Sequence, residues 1–375
     1  MFLFGTNAFV IAGLLPDIAE SLHVEPVQVS YSITWYSAVV ALIAPVISLT
    51  LARVSRTTLM VAGLLLFALG GVLALSTDSI VLFTLGRAVA GLGGAAFVPT
   101  GTAAAAALVA PAQRGRALGL VGVGFTLATA LGSPIGTLLG DRGGWRLPLW
   151  GLVALAVLAA AAIALRVRHV PIAAPASLAE RLRPLADPRV LAALGATLLT
   201  VASFNMVYIF SSTVTAHATG GDGTALAVLL LACGVAGVGG NTIAGPLTDA
   251  VGNRRTAGIA LGGAAVALIA LTFLSHLFVP TLVVFAVWGL AALGASVPVQ
   301  HRLVTIDPDT SALALSWYTT AMYIGIAVAP PIASLALGIG GADALPVVGA
   351  IVAVAALAVF LVGYSAPVRR VMSSR

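Results

Sequence analysis

The chain has 375 residues, 60% of them hydrophobic and only 8% charged, with a formal net charge of +6 and a mean hydropathy of +1.11. Soluble domains carry about a quarter charged residues, and no soluble fold could hide so much apolar surface. A single cysteine (Cys233) rules out an intrachain disulfide, the lack of any lysine rules out a P-loop, and arginines scattered between apolar runs argue against a nucleic-acid stripe.

A membrane span needs about 20 apolar residues. Apolar runs and their breakers predict helices near 1–15, 29–51, 58–76, 79–109, 117–140 and 147–165, then near 190–212, 224–247, 256–275, 278–299, 312–338 and 344–364. The expected class is all-α integral membrane, with twelve transmembrane helices in two pseudo-symmetric six-helix bundles, residues 1–165 and 190–375, joined by a linker at 166–189. The first run, Phe2 to Leu15, lacks the basic region and cleavage site of a signal peptide and is read as helix 1. Its shortness leads to the expectation that the natural chain extends further upstream.

Along the chain, helix 1 carries Phe9-Val-Ile-Ala-Gly13-Leu-Leu-Pro16-Asp17, preceded by Asn7 and Ala8. The loop after helix 2 reads Ser48-Leu-Thr-Leu-Ala52-Arg53-Val-Ser55-Arg56 and holds two cations and no acid. Helix 4 contains Leu85-Gly-Arg87-Ala-Val-Ala-Gly91, which places an arginine inside an apolar span, an expensive position that marks a functional candidate. Helix 5 carries Gly132, Pro134, Gly136 and Gly140, where missing side chains admit a crossing helix and the proline kinks the backbone. Between helices 8 and 9 lies Gly245-Pro-Leu-Thr-Asp249-Ala-Val-Gly252-Asn-Arg254-Arg255, in which Asp249 can pair with a cation or cap a helix end.

The loops that share a side with the termini hold fifteen arginines and the opposite loops two, Arg142 and Arg146, so both termini are expected in the cytoplasm. Alanine- and glycine-rich composition with arginine as the sole basic residue suggests a GC-rich bacterial genome, hence a bacterial inner membrane. The linker, with five arginines and four prolines, reads as a solvated basic loop against anionic lipid. The halves also repeat: Asn7 precedes Ala52 by 45 positions, and Asn205 precedes Asp249 by 44.

The segment from Gly245 to Arg255 resembles the signature of the major facilitator superfamily, which is strongest between helices 2 and 3 and weaker between helices 8 and 9; this chain inverts that emphasis. Arg87 fits the superfamily's helix-4 pattern, whose arginine faces the central cavity. Gly132 to Gly140 is similar to a motif of the drug:proton antiporters, and the Phe9 segment to helix 1 of the bacterial drug and sugar efflux branch. Many relatives carry an acid just before that phenylalanine, where this chain has Asn7 and Ala8. All twelve acids fall at loops or helix ends by this segmentation, so no carboxylate is placed to carry a proton through the core.

The resemblance implies a secondary transporter that exports a drug-like or sugar-like molecule by alternating access, with proton antiport as one mode of coupling. An uncoupled facilitator or exchanger, an importer of the same fold and a transport-dead receptor are the alternatives. Substrate contacts are expected near the midplane between the halves, from Asn7, Trp35, Tyr36, Arg87, Asn205, Tyr208, Trp288, Trp317, Tyr318 and Tyr323. Asp249, Arg254, Arg255, Arg53 and Arg56 are the candidates for a conformational latch. The expected partners are a small-molecule substrate, protons as a candidate counter-ion, and the lipid bilayer; no nucleic acid, metal, cofactor or enzyme activity is expected, and the expected state is a monomer.

Overall fold

The computed structural model describes residues 1–110, 113–167, 170 and 177–365. Arg168, Pro171, Pro175, Arg369, Arg370 and Arg375, which entered the loop readings, lie outside the described residues. The first spans are α1 (Phe2–Ser21), α2 (Pro26–Thr50), α3 (Arg56–Leu75) and α4 (Ile80–Ala107). Next, α5 (Arg114–Leu127) continues through a π-helical turn, Ala128–Gly132, into α6 (Ser133–Gly143), and α7 (Arg146–Arg166) follows. The linker contributes the single turn α8 (Leu178–Leu182).

The second set begins with α9 (Pro188–Ile209) and the short turns α10 (Ser211–Val214) and α11 (Ala216–Thr219). It continues with α12 (Gly223–Val251), α13 (Asn253–Leu274), α14 (Phe278–Gly294), α15 (Ser296–Ile306), which extends α14, and α16 (Ser311–Ser365). Among the described residues eleven helical runs are long and apolar enough to cross a membrane, and the last of these is two spans. Gly340 and Gly341 leave helical geometry inside α16, and Gly341 does so at a φ of 64°, which favours a residue without a Cβ. Helices 11 and 12 therefore join at a two-glycine break and not through the five-residue loop read from the sequence.

Helix 1 also differs from its reading. It is 20 residues long because Pro16 does not end it, and Asp17 and Glu20 stay exposed on its last turn. Every residue from Leu3 to Leu15 is buried, as is every residue from Ala202 to Ile209 on α9, so these two helices form the centre of the molecule. Leu65, Leu158, Ile259, Phe273 and Ile351 turn outward, as lipid-facing side chains do.

The near end of the molecule is the one where α1 begins, and the far end is the opposite one. From the middle to the far end the two sets of spans touch. A Cβ added at Gly234 of α12 would lie 2.4 Å from the Ala130 Cα in the π-helical turn, so this crossing is backbone against backbone. The Phe9 and Tyr208 rings meet edge to face at 5.5 Å, and Thr34 Oγ1 donates to the Ala327 carbonyl at 2.8 Å. At the far end Thr224 Oγ1 donates to Asp141 at 3.3 Å. At the near end the linker bridges the sets, since Arg181 donates to the Ser48 carbonyl at 3.2 Å and Trp317 Nε1 donates to the Arg181 carbonyl at 2.8 Å.

Candidate functional site

Between the two sets of spans lies a cavity of about 400 Å³, a volume suited to a drug-sized ligand. Each contributing helix lends it residues from the middle or from the near-end half, such as Thr102 of α4, Phe125 of α5 and Gln300 of α15, so the cavity faces the near end. Its deepest wall is Phe9, Thr129, Phe204 and Tyr323, beyond which the far-end contacts close the path.

Much of the wall is apolar, with Val98, Phe125, Leu293, Met322 and Ile326 among its residues. Polar groups come mainly as hydroxyls and amides: Thr126 and Thr129, Thr197 and Thr200, Asn205, Asn241, Ser296 and Gln300. Ser296 Oγ donates to Asn241 Oδ1 at 3.0 Å, and Gln300 Nε2 donates to the Tyr318 hydroxyl at 3.3 Å. Asn205 Nδ2 donates to the Val201 carbonyl of its own helix at 2.9 Å. The lining includes no Asp, Glu, Arg or His side chain. A charged guest would therefore lose its water without gaining a side-chain counter-charge; such a wall suits neutral amphipathic molecules.

Of the ten residues expected around a central cavity, the structure brings three to it: Asn205, Tyr318 and Tyr323. Tyr208 and Trp288 back the wall instead, each ring packing on Phe204 at 5.1 and 4.8 Å. Trp317 holds the linker, and Trp35 is 56% exposed in an outer groove against Val81 and Leu85. Asn7, Tyr36 and Arg87 form a cluster inside the first bundle, where the Tyr36 ring lies 4.9 Å from the guanidinium carbon. Arg87 neither reaches the cavity nor extends to the outer interface; it is 4% exposed. The reason is geometric: Asn7 lies on α1 at the height of Arg87, and its side-chain and backbone oxygens both accept from the guanidinium.

The proposed latch residues are not joined. Among the described residues Asp249 makes no ion pair, and Arg56 donates to the Ala103 carbonyl at 2.9 Å. Asp249, Arg254 and Arg255 edge a separate near-end pocket with His301 and Tyr364, and Arg53 is exposed on the loop after α2. The helix-5 glycines lie against α1. Added Cβ atoms at Gly132, Gly136 and Gly140 would meet Thr6, Val10 and Leu14 of α1 at 2.1, 2.2 and 2.2 Å. Pro134 follows the π-helical turn, where its missing N–H is accommodated.

Sequence reasoning missed the threonines, Asn241, Ser296 and Gln300. Their signal was present as polar pairs three or four positions apart inside apolar spans, Thr126 with Thr129, Thr197 with Thr200 and Ser296 with Gln300, each pair on one helix face. Weighting aromatic residues drew attention away from them. Among the described residues no group of three or more His, Cys, Asp or Glu side chains is placed to hold a metal ion.

Comparison with known proteins places this architecture. The chain is 29% identical over 343 residues to an uncharacterized MFS-type transporter, YbcL, of Bacillus subtilis (strain 168), covering 91% of this chain and 85% of that protein. It is 29% identical over 363 residues to the inner membrane transport protein YdhP of Escherichia coli O157:H7, covering 96% and 92%. The crystal structure of a mutant of the nucleoside transporter NupG superposes with a TM-score of 0.77 at 11% identity, covering 97% of each chain, a likeness of fold alone. The pattern of the Major Facilitator Superfamily matches residues 1–307 and again 193–373. With a twelve-span fold around a cavity between two sets of helices, and with that match over the whole chain, this protein belongs to the Major Facilitator Superfamily and is a membrane transporter, not an enzyme.

Proposed function

We propose that the chain exports a neutral, amphipathic small molecule across a bacterial inner membrane by alternating access between its two six-helix halves. The observation that carries this reading is the cavity itself: about 400 Å³, apolar over much of its wall, furnished with hydroxyl and amide groups and bare of charged side chains. Such a wall suits a drug-like or sugar-like solute. Both termini lie in the cytoplasm on this reading, because the near-end loops carry most of the arginines. The described conformation is then inward-open, poised to load from the cytoplasm, and the monomer is the transporting unit.

The test is flux in proteoliposomes. Labelled neutral amphipathic compounds are expected to move, while permanently charged analogues of similar size are not, and Asn205→Leu is expected to slow the former. Equal transport of the charged analogues would sink the reading.

A second reading, an uncoupled facilitator or exchanger, is favoured by the placement of the acids. None of the twelve lines the cavity, and each sits at a helix end or in a loop. Flux that survives a protonophore and ignores an imposed pH gradient would support the facilitator; accumulation driven by the gradient would support proton antiport.

A further inference from the structure

Arg87 is a permanently charged group held inside the first bundle without an acid beside it. The two ion pairs among the described residues join Arg146 to Asp78 and Arg189 to Asp187, and neither involves Arg87. Its two hydrogen bonds both run to Asn7, one to Oδ1 and one to the backbone oxygen at 3.1 Å. A guanidinium has five N–H donors and no acceptor, so most of its donor capacity is left over. Nε in particular is buried and has no hydrogen-bond partner. The Tyr36 ring offers the cation a π face, which carries no formal charge.

Beside this group is a small void of about 20 Å³, lined by Arg87, Asn7 and otherwise only by Phe, Leu, Val, Ala and Gly. That is room for one small guest. The void offers mainly donors: Arg87 Nε and Asn7 Nδ2 are buried without partners, while the one side-chain acceptor in the lining, Asn7 Oδ1, already accepts from Arg87. A guest that only accepts, and that brings a negative charge, satisfies the spare donors and neutralises the guanidinium together.

We propose that this void binds a small monovalent anion of the halide class, held by Arg87 with Asn7 fixing the orientation of the guanidinium. The anion is a resident counter-ion and not cargo, since no residue lining the void also lines the transport cavity. The site exists because position 7 supplies an amide where a carboxylate would have balanced the charge within the chain.

The test uses the purified full-length protein in sodium chloride, sodium bromide or sodium gluconate at equal ionic strength. Chloride and bromide are expected to raise the unfolding temperature above its gluconate value by about 2 °C or more. Asn7→Asp, which places a carboxylate against Arg87, is expected to abolish that difference. Bromide crystals of the unaltered protein supply a check independent of any variant: an anomalous peak is expected against Arg87. A melting temperature indifferent to halide, a halide effect unchanged in Asn7→Asp, or density at Arg87 without anomalous signal, as a water would give, would each overturn the proposal.

Discussion

Asn7 and Asn205 stand at corresponding points of the internal repeat, yet their surroundings give them different work. Asn7 spends both its side-chain and backbone oxygens on Arg87, whereas Asn205 lines the cavity with its amide nitrogen tied to Val201. Asn205→Leu should therefore raise the KM for a neutral cargo about tenfold, the worth of one hydrogen bond of roughly 1.4 kcal/mol, with little loss of folded protein. Concentration-dependent flux in proteoliposomes checks this. Outside the spans, burial alone would raise the pKa of Asp187, but hydrogen bonds from the Arg189 side chain and backbone outweigh it and hold the carboxyl below the usual carboxylate range. A depressed folded pKa stabilises above the unfolded value near 4 and loses that contribution as pH falls through the folded one. Asp187→Asn should lower the unfolding temperature at pH 7, and its deficit relative to the unaltered protein should shrink below about pH 4. Melting curves across that range decide it.

At the scale of helices, small residues set how the bundle crosses itself. Gly234 meets the backbone of Ala130, a contact that no side-chain rotation can relieve. Gly234→Val should force α12 away from the π-helical turn and cut transport at least tenfold, whereas Gly119→Ala, which has nothing within 4 Å, should be silent. Expression, gel filtration and flux compared for the two variants test the difference. The spans were legible because hydropathy acts over about 20 residues and averages out local exceptions. The exceptions were the misreadings: Pro16 was taken as a stop though α1 passes through it, and Gly340–Gly341 as part of a loop though they are the whole connection. Cavity residues were less legible. A lining position depends on which face of a helix turns inward: Trp35 faces an outer groove, and Arg87 turns into the interior of its own bundle and not toward the cavity between the halves.

For the molecule as a whole, the contacts from the middle to the far end predict which motions are needed for transport. Thr34 on α2 and Ala327 on α16 touch across the halves. Cysteines placed at both positions, in a background where Cys233 is replaced by alanine, should cross-link under oxidant and stop flux, and reductant should restore it. Flux that persists in the cross-linked protein would show that these helices need not part. The linker belongs to the same picture, because Arg181 contacts α2 and α16 at once and so bridges the halves at the near end.

The absence of charged side chains from the cavity wall also has an electrical consequence. A neutral cargo moved by such a wall drags no net charge through the membrane field, which would otherwise contribute about 2.3 kcal/mol per charge per 100 mV. Without a coupled ion, the cycle runs electroneutrally, and a potassium diffusion potential imposed across a vesicle leaves its rate and its endpoint where they were. The voltage across the membrane, in that case, can neither drive such transport nor hold it back; only the gradient of the cargo does.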